Sequence, residues 1–342
     1  MKQKPRIEYI DLAKGICIIF VVMMHVTTIC WYDKVSYPPL IEHVVGPIRM
    51  PLYFLLSGLF FKTYSEIRTP AWLCWLPTGS AEFIRRKTNK ILVPFVFFFF
   101  GMGFLLRQLP AGWEHAKAWG VSALWFLECL FEMNVIFFVM HHVAHHLSNG
   151  RRAESLLCLL SLSCGVVGFY ANVPNYHYIM SALTCMPFFW LGYFLRSQTS
   201  FLVLRVNLLY LTGVTVLVVP VMDFLYMDSS IAGHQFAQNI FVFYFIRVVG
   251  VLIVLFWCKP IGYLPFVSYL GRYSIIVLVT HLMVGELSQP YVAKLCLPME
   301  ILAMLHFLLI LIVCRILIPL CRRFIPWFVA QKDLIPPFKQ KV

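Results

Sequence analysis

The chain has 342 residues, 61% of them hydrophobic and only 13% charged, with a mean hydropathy of +0.80. A water-soluble domain of this size needs far more surface charge, so soluble enzymes and soluble binding modules are excluded. The net charge of +13 sits between apolar runs, as the positive-inside rule requires, and therefore does not point to a nucleic-acid partner.

Apolar runs of about 18–25 residues match roughly 30 Å of hydrocarbon. They predict an all-α polytopic membrane bundle of about ten transmembrane helices, at roughly 13–32, 45–62, 91–108, 121–140, 155–172, 178–195, 203–225, 237–257, 264–285 and 300–320. A β-barrel would alternate in polarity, and the run from Ile91 to Leu106 does not. With ten spans, most basic residues fall on one side: Lys2, Lys4, Arg6, Lys62, Arg68, Arg85, Arg86, Lys87, Lys90, Arg151, Arg152, Arg196, Arg205, Lys259, Arg322, Arg323, Lys332, Lys339 and Lys341. The other side holds chiefly Lys34, Lys117 and Lys294. Both termini are therefore predicted cytoplasmic. The reading is one integral-membrane domain over 1–342, with a cytoplasmic N-terminus (1–12), a basic cytoplasmic loop (63–90) and a basic cytoplasmic tail (321–342). The loop's Pro70, Trp72, Trp75 and Pro77 suit an interfacial segment. The first apolar run carries an acid and a base at its start and no small-residue cleavage site after it, so it reads as a retained span. The eleven cysteines form no Cys-x-x-Cys pair and read as small buried hydrophobes.

Polar residues inside apolar runs are costly, at about 2.5–3.5 kcal/mol each near the bilayer centre, so they mark candidate sites. The first span carries Asp11, Lys14 and His25. Lys14 and His25 are eleven positions apart, which puts them on nearly the same helix face, about 16 Å apart along the axis. Asp11 and Lys14, three apart, can pair. The picture is a polar stripe running from one surface to near the midplane. The plainer readings are an interfacial ion pair and a core histidine bonded to a neighbouring helix. In the second span Arg49 precedes Met50-Pro51-Leu52-Tyr53-Phe54-Leu55-Leu56-Ser57-Gly58. Pro51 and Gly58 allow bending or close backbone approach, Ser57 has no acidic partner at fixed spacing, and Arg49 suits an anionic or sugar substrate. Arg85, Arg86, Lys87 and Lys90 enter the third span and suit phosphates, or equally topology and anionic lipid. Trp125 and Glu128 open the fourth span. Glu128 and Glu132, one turn apart, have Arg247, Arg315 and His281 as possible partners in other spans. His141, His142, His145 and His146 have metal-ligand spacing but no cysteine or acid in register, so no metal is expected. His281 is a second mid-span imidazole.

Taken together and in order, these segments resemble the integral-membrane acyltransferase-3 family. The match rests on Asp11/Lys14/His25, the "PLYFLLSG" block ending at Gly58, the basic run before Pro94, "LWFL" at Leu124, "FFWLGYFLRS" from Phe188 and the "YS…H" ending at His281. The opening is closest to the fucose 4-O-acetylase-like branch. Lys14 stands where much of the family has arginine, and Arg49 where this branch often has histidine. The resemblance implies transfer of an acyl group, acetyl in the simplest case, from acetyl-CoA as co-substrate to a hydroxyl of a carbohydrate or lipid-linked sugar. It implies a multi-pass protein of the cell's inner membrane, in contact with membrane lipids and concerned with envelope polysaccharide. His25 would be the general base or help relay the acyl group, and Lys14 and Asp11 would complete the catalytic group, Lys14 reaching the phosphates of CoA and Asp11 orienting Lys14 or the histidine's neighbourhood. Arg85, Arg86, Lys87 and Lys90 would hold the phosphates of CoA, and Arg49, Trp125, Glu128 and His281 would line the acceptor site. The competing readings are a transporter or flippase of glycan precursors without covalent chemistry, and a structural subunit of a polysaccharide assembly.

Overall fold

The computed structural model describes residues 7–31, 38–66, 77–105, 113–174, 176–198 and 206–337. The predicted roles of Lys2, Lys4, Arg6, Lys34, Arg68, Arg205, Lys339 and Lys341, and of Pro70, Trp72 and Trp75, lie outside those residues. So does the side chain of Lys117.

The chain is all-α. Its helices are α1 (Glu8–His25), α2 (Pro39–Leu59), α3 (Ser80–Lys87), α4 (Val93–Leu105), α5 (Trp113–Leu147), α6 (Arg151–Tyr170), α7 (Ile179–Ser197), α8 (Leu208–Leu225), α9 (Ile240–Ile261), α10 (Pro265–Arg272), α11 (Ser274–Val292) and α12 (Met299–Phe324). Among the described residues the only sheet pairs Ser229–Ser230 with Gln235–Phe236. Helix starts follow local chemistry. The side chains of Asn207 and Asn239 accept the backbone N–H of Leu209 and Phe241, each at 2.9 Å, capping α8 and α9. Two π-helical segments, Val26–Cys30 and Thr88–Leu92, follow α1 and α3 directly.

Eight of the described helices are long and apolar enough to cross a membrane. α2 and α4 are outside that set: α2 carries Glu42, His43, Arg49, Pro47 and Pro51, and α4 is described over 13 residues. Outward apolar side chains agree with a lipid solvent. On α8, Leu209 is 83% exposed and Phe224 86%, which in water would be a liability.

Two expectations need correction. The ninth predicted span, 264–285, is two helices, broken at Tyr273 (φ −115°, ψ 29°). Packing forces the break. α10 lies directly on α1, so close that a Cβ on Gly271 would sit 1.9 Å from the Asp11 carbonyl oxygen and one on Gly15 2.0 Å from the Val267 carbonyl oxygen. Only glycines permit such contact, and a straight continuation into α11 cannot keep it. The basic loop 63–90 also contains helix α3, whose Glu82 spaces it to Arg85 and Arg86 at i+3 and i+4.

The residues form two compact units. Unit 1 comprises 1–56, 195–229 and 237–319. Its core includes Leu12, Ile18 and Val22 of α1, Leu52 and Phe54 of α2, Phe243 and Ile246 of α9, and Ile276 and Val277 of α11. Unit 2 comprises 57–194, 230–236 and 320–342. It is built around Phe61, whose ring meets Phe83, Phe137, Phe189 and Tyr193 with centroids 4.9–6.0 Å away. Gly58 closes against α7, where a Cβ would fall 1.9 Å from the Phe189 carbonyl oxygen.

Candidate active site

In unit 1, His25 is the last residue of α1, seventeen residues after Glu8. At 1.5 Å per residue it lies about 26 Å along the axis, toward the end of the Glu8–Thr28 span rather than at its middle. The carbonyl of Met24 accepts the hydroxyls of Thr27 and Thr28 at 2.9 and 3.0 Å, satisfying backbone disturbed by the π turn.

The partner of His25 is His281, 256 residues away on α11. Nδ1 of His25 and Nε2 of His281 are 2.7 Å apart. The rings are nearly parallel (10°) with centroids 5.1 Å apart, an edge-to-edge hydrogen bond rather than face stacking. His281 is 1% exposed, and its Nδ1 is 3.0 Å from the Val277 carbonyl oxygen. A carbonyl only accepts, so Nδ1 of His281 carries the proton. In the neutral ring Nε2 is then a lone pair. His25 must donate to it from Nδ1, which leaves Nε2 of His25 unprotonated. Two bonds thus set the tautomer of a partly exposed imidazole so that its outward nitrogen can take a proton. His281, expected at the acceptor site, is bonded to His25.

Arg49 lies on α2, and its backbone carbonyl accepts the Cys17 thiol of α1 at 2.6 Å. Asp11 and Lys14 are partly buried on α1 and hold polar or electrostatic partners. The Lys14 carbonyl faces the Tyr53 hydroxyl at 3.5 Å. The structure therefore brings His25 and His281 together and sets Arg49 against Cys17 of the same helix as His25, while the eleven-residue spacing keeps Lys14 from touching the imidazole.

In unit 2 the basic run is organised by two carboxylates. Glu82 binds Arg85 in a two-bond fork (2.8 and 2.8 Å) and accepts Arg86 Nε at 2.5 Å. Arg85 Nη1 donates to Asp333 Oδ2 at 2.9 Å and to the Ile335 carbonyl at 2.7 Å. With four donor contacts made and 4% exposure, Arg85, expected among the phosphate ligands, is committed to Glu82, Asp333 and the Ile335 carbonyl. Its bonds hold Glu82 below the usual carboxylate range. Arg86 stacks its guanidinium over Tyr64 at 4.6 Å, and Lys90 donates to the Ala330 carbonyl at 2.6 Å, yet both remain accessible. Burial pushes the Lys87 ammonium down to about 8. Asn89, fully buried, accepts the N–H of Leu334 and Ile335 (2.8 Å each) and donates to the Ile335 carbonyl at 3.0 Å. The C-terminal segment is thereby strapped across α3.

Trp125 is buried against Tyr178, and Glu128 pairs with His177 at 2.8 Å. The expected partners of Glu128 are engaged elsewhere. Arg247 bonds Gln238 and Ser229 and lies over the Phe243 ring, Arg315 lies over Tyr269, and His281 holds His25. His141 and His145 stack on each other, and Tyr193 bridges His141 to Glu154. Among the described residues no group of three or more His, Cys, Asp or Glu side chains could hold a metal ion. The described cysteines are free thiols. His177, Asn89 and Asp333 escaped sequence reasoning because nothing local distinguishes them from loop residues.

The chain is thus a bundle of apolar helices with a hydrogen-bonded imidazole pair buried in one of its units. An acyltransferase domain model, that of the acyltransferase-3 family, matches residues 7–324, and the chain belongs to that family of membrane O-acyltransferases. No curated protein and no solved structure matches the chain.

Proposed function

We propose that the protein moves an acyl group, acetyl in the simplest case, from acyl-CoA to a hydroxyl of a carbohydrate or lipid-linked sugar in the inner membrane. The observation that carries this reading is the His25–His281 bond, which leaves Nε2 of His25 as a lone pair. Nε2 takes the proton of the acceptor hydroxyl as its oxygen bonds to the thioester carbonyl carbon. The carbon–sulfur bond then breaks, and His25 returns the proton to the departing thiolate, giving an ester and free CoA. His281 is a positioning residue. Of the basic run, Arg86, Lys87 and Lys90 are the groups suited to the donor's phosphates, since the guanidinium of Arg85 is committed to Glu82 and Asp333.

Purified protein in nanodiscs, given labelled acetyl-CoA and methyl glycosides, should form labelled ester. His25→Ala should lower kcat by roughly 10²–10⁴-fold, the usual contribution of a general base. A folded His25→Ala protein that transfers at the wild-type rate defeats the assignment. Movement of a glycan precursor across the bilayer with no use of acetyl-CoA would favour the transport reading.

A further inference from the structure

Helix α2 carries polar groups at Glu42, Arg49 and Tyr53, with Gly46 between the first two. These positions recur at four, three and four residues, one stripe of the helix. Unit 1 engages the stripe from Tyr53 to Gly46. Tyr53 faces the Lys14 carbonyl, and the Arg49 carbonyl accepts the Cys17 thiol. Gly46 has no side chain to cover the Tyr226 hydroxyl, which stands 3.5 Å from where its Cβ would be. Glu42 lies one turn before Gly46 on the same stripe. So the stripe of α2 runs antiparallel beside α1, from Lys14 to Cys17 and on in the direction of His25, and its next step, Gly46, meets Tyr226.

At that far end the groups are built for a polyhydroxyl ligand. The Tyr226 ring stacks on His43 at 4.4 Å and 23°. His43 Nδ1 meets Asp223 Oδ1 at 2.6 Å, and the Asp223 side chain remains 42% exposed. A carboxylate fixed by one oxygen presents its remaining lone pairs to hydroxyl donors, and the phenol both donates and accepts. This combination answers to neighbouring hydroxyls on a ring and has no use for phosphate, which the Asp223 and Glu42 carboxylates repel. We propose that Tyr226, His43 and Asp223 form the acceptor subsite, binding vicinal hydroxyls of a pyranose whose further hydroxyl reaches His25. This rests on the acyl-transfer reading above and adds the residues that recognise the sugar.

Two readouts on purified protein separate the subsite from the chemistry. Carbodiimide labelling of Asp223, mapped by mass spectrometry, should slow at least threefold in methyl glucoside or methyl galactoside, and Tyr226→Ala should abolish the protection. With the same glycosides and labelled acetyl-CoA, Asp223→Asn and Tyr226→Phe should raise the acceptor KM about tenfold or more, as expected for a lost hydrogen bond to substrate, with the KM for acetyl-CoA unchanged. Absence of protection overturns the subsite. So does wild-type acceptor KM in both variants, and in that case transfer itself stands. Protection without any ester formation upholds the subsite and removes the acyl-transfer reading. Asp223→Asn keeps the side chain's shape, and Tyr226→Phe keeps the stack on His43, so neither result depends on a protein that fails to fold.

Discussion

Replacing His281 by alanine removes the acceptor for the Nδ1–H of His25, now 2.7 Å away, and frees the Val277 carbonyl as well. A buried N–H without a partner costs about 1–3 kcal/mol. His25 escapes that cost by shifting its proton to Nε2, the nitrogen that must be bare to act as base. The base-competent tautomer therefore loses about 5- to 150-fold in population, and kcat falls by the same factor. His281→Gln offers an amide oxygen in place of Nε2 and should recover part of the loss. Transfer of label from acetyl-CoA measures kcat and KM separately, and circular dichroism in nanodiscs checks that the helices survive. Wild-type kcat in His281→Ala, or a loss confined to KM, would refute the tautomer argument.

Other consequences follow from the packing and the basic segment. Gly271→Ala puts a methyl 1.9 Å from the Asp11 carbonyl oxygen and 2.4 Å from Gly15 N, so α10 and α1 must part by more than 1 Å; overpacking of this kind costs about 1–3 kcal/mol or more and should appear as a lower Tm in detergent. Asn89→Ala removes the bonds to Leu334 and Ile335, and hydrogen exchange over 328–337 should quicken while the helices of unit 1 keep their protection. Lys87, held to about 8 when folded and near 10.5 when unfolded, keeps fewer protons in the native state between those values. Stability should therefore rise as pH climbs through that window, and the rise should shrink in Lys87→Met, with thermal unfolding as the measurement. Through the same loss of charge, the KM for acetyl-CoA should increase above pH 8 in the wild type and less so in Lys87→Arg.

Much of the fold was legible because lipid imposes a one-dimensional rule: apolar length makes a span. The predicted 178–195 and 300–320 runs meet helices at Ile179–Ser197 and Met299–Phe324. Close packing at Gly58 was readable too, since glycine in a greasy helix has few other uses. The break at Tyr273 was not, because it depends on α10 meeting α1, a contact between segments far apart in sequence. Site chemistry divides the same way. His25 declared itself by cost alone. Its partner could not be named, because several imidazoles and ions were eligible until the helices were arranged. Arg85 shows the opposite failure. A basic run looks like a ligand cradle whenever its counter-ions lie elsewhere in sequence, and here Asp333 is 248 residues away.

The strap over Asn89 also bears on how the protein is made. Synthesis delivers residues 333–335 after helix α12, so the partners of the buried Asn89 amide and the second carboxylate on Arg85 arrive only once that helix has been made. A chain stopped after Phe324 would carry every long apolar helix into the bilayer yet leave Asn89 without its tail partners. Such a truncated product would be expected to embed yet remain unfinished at its basic segment.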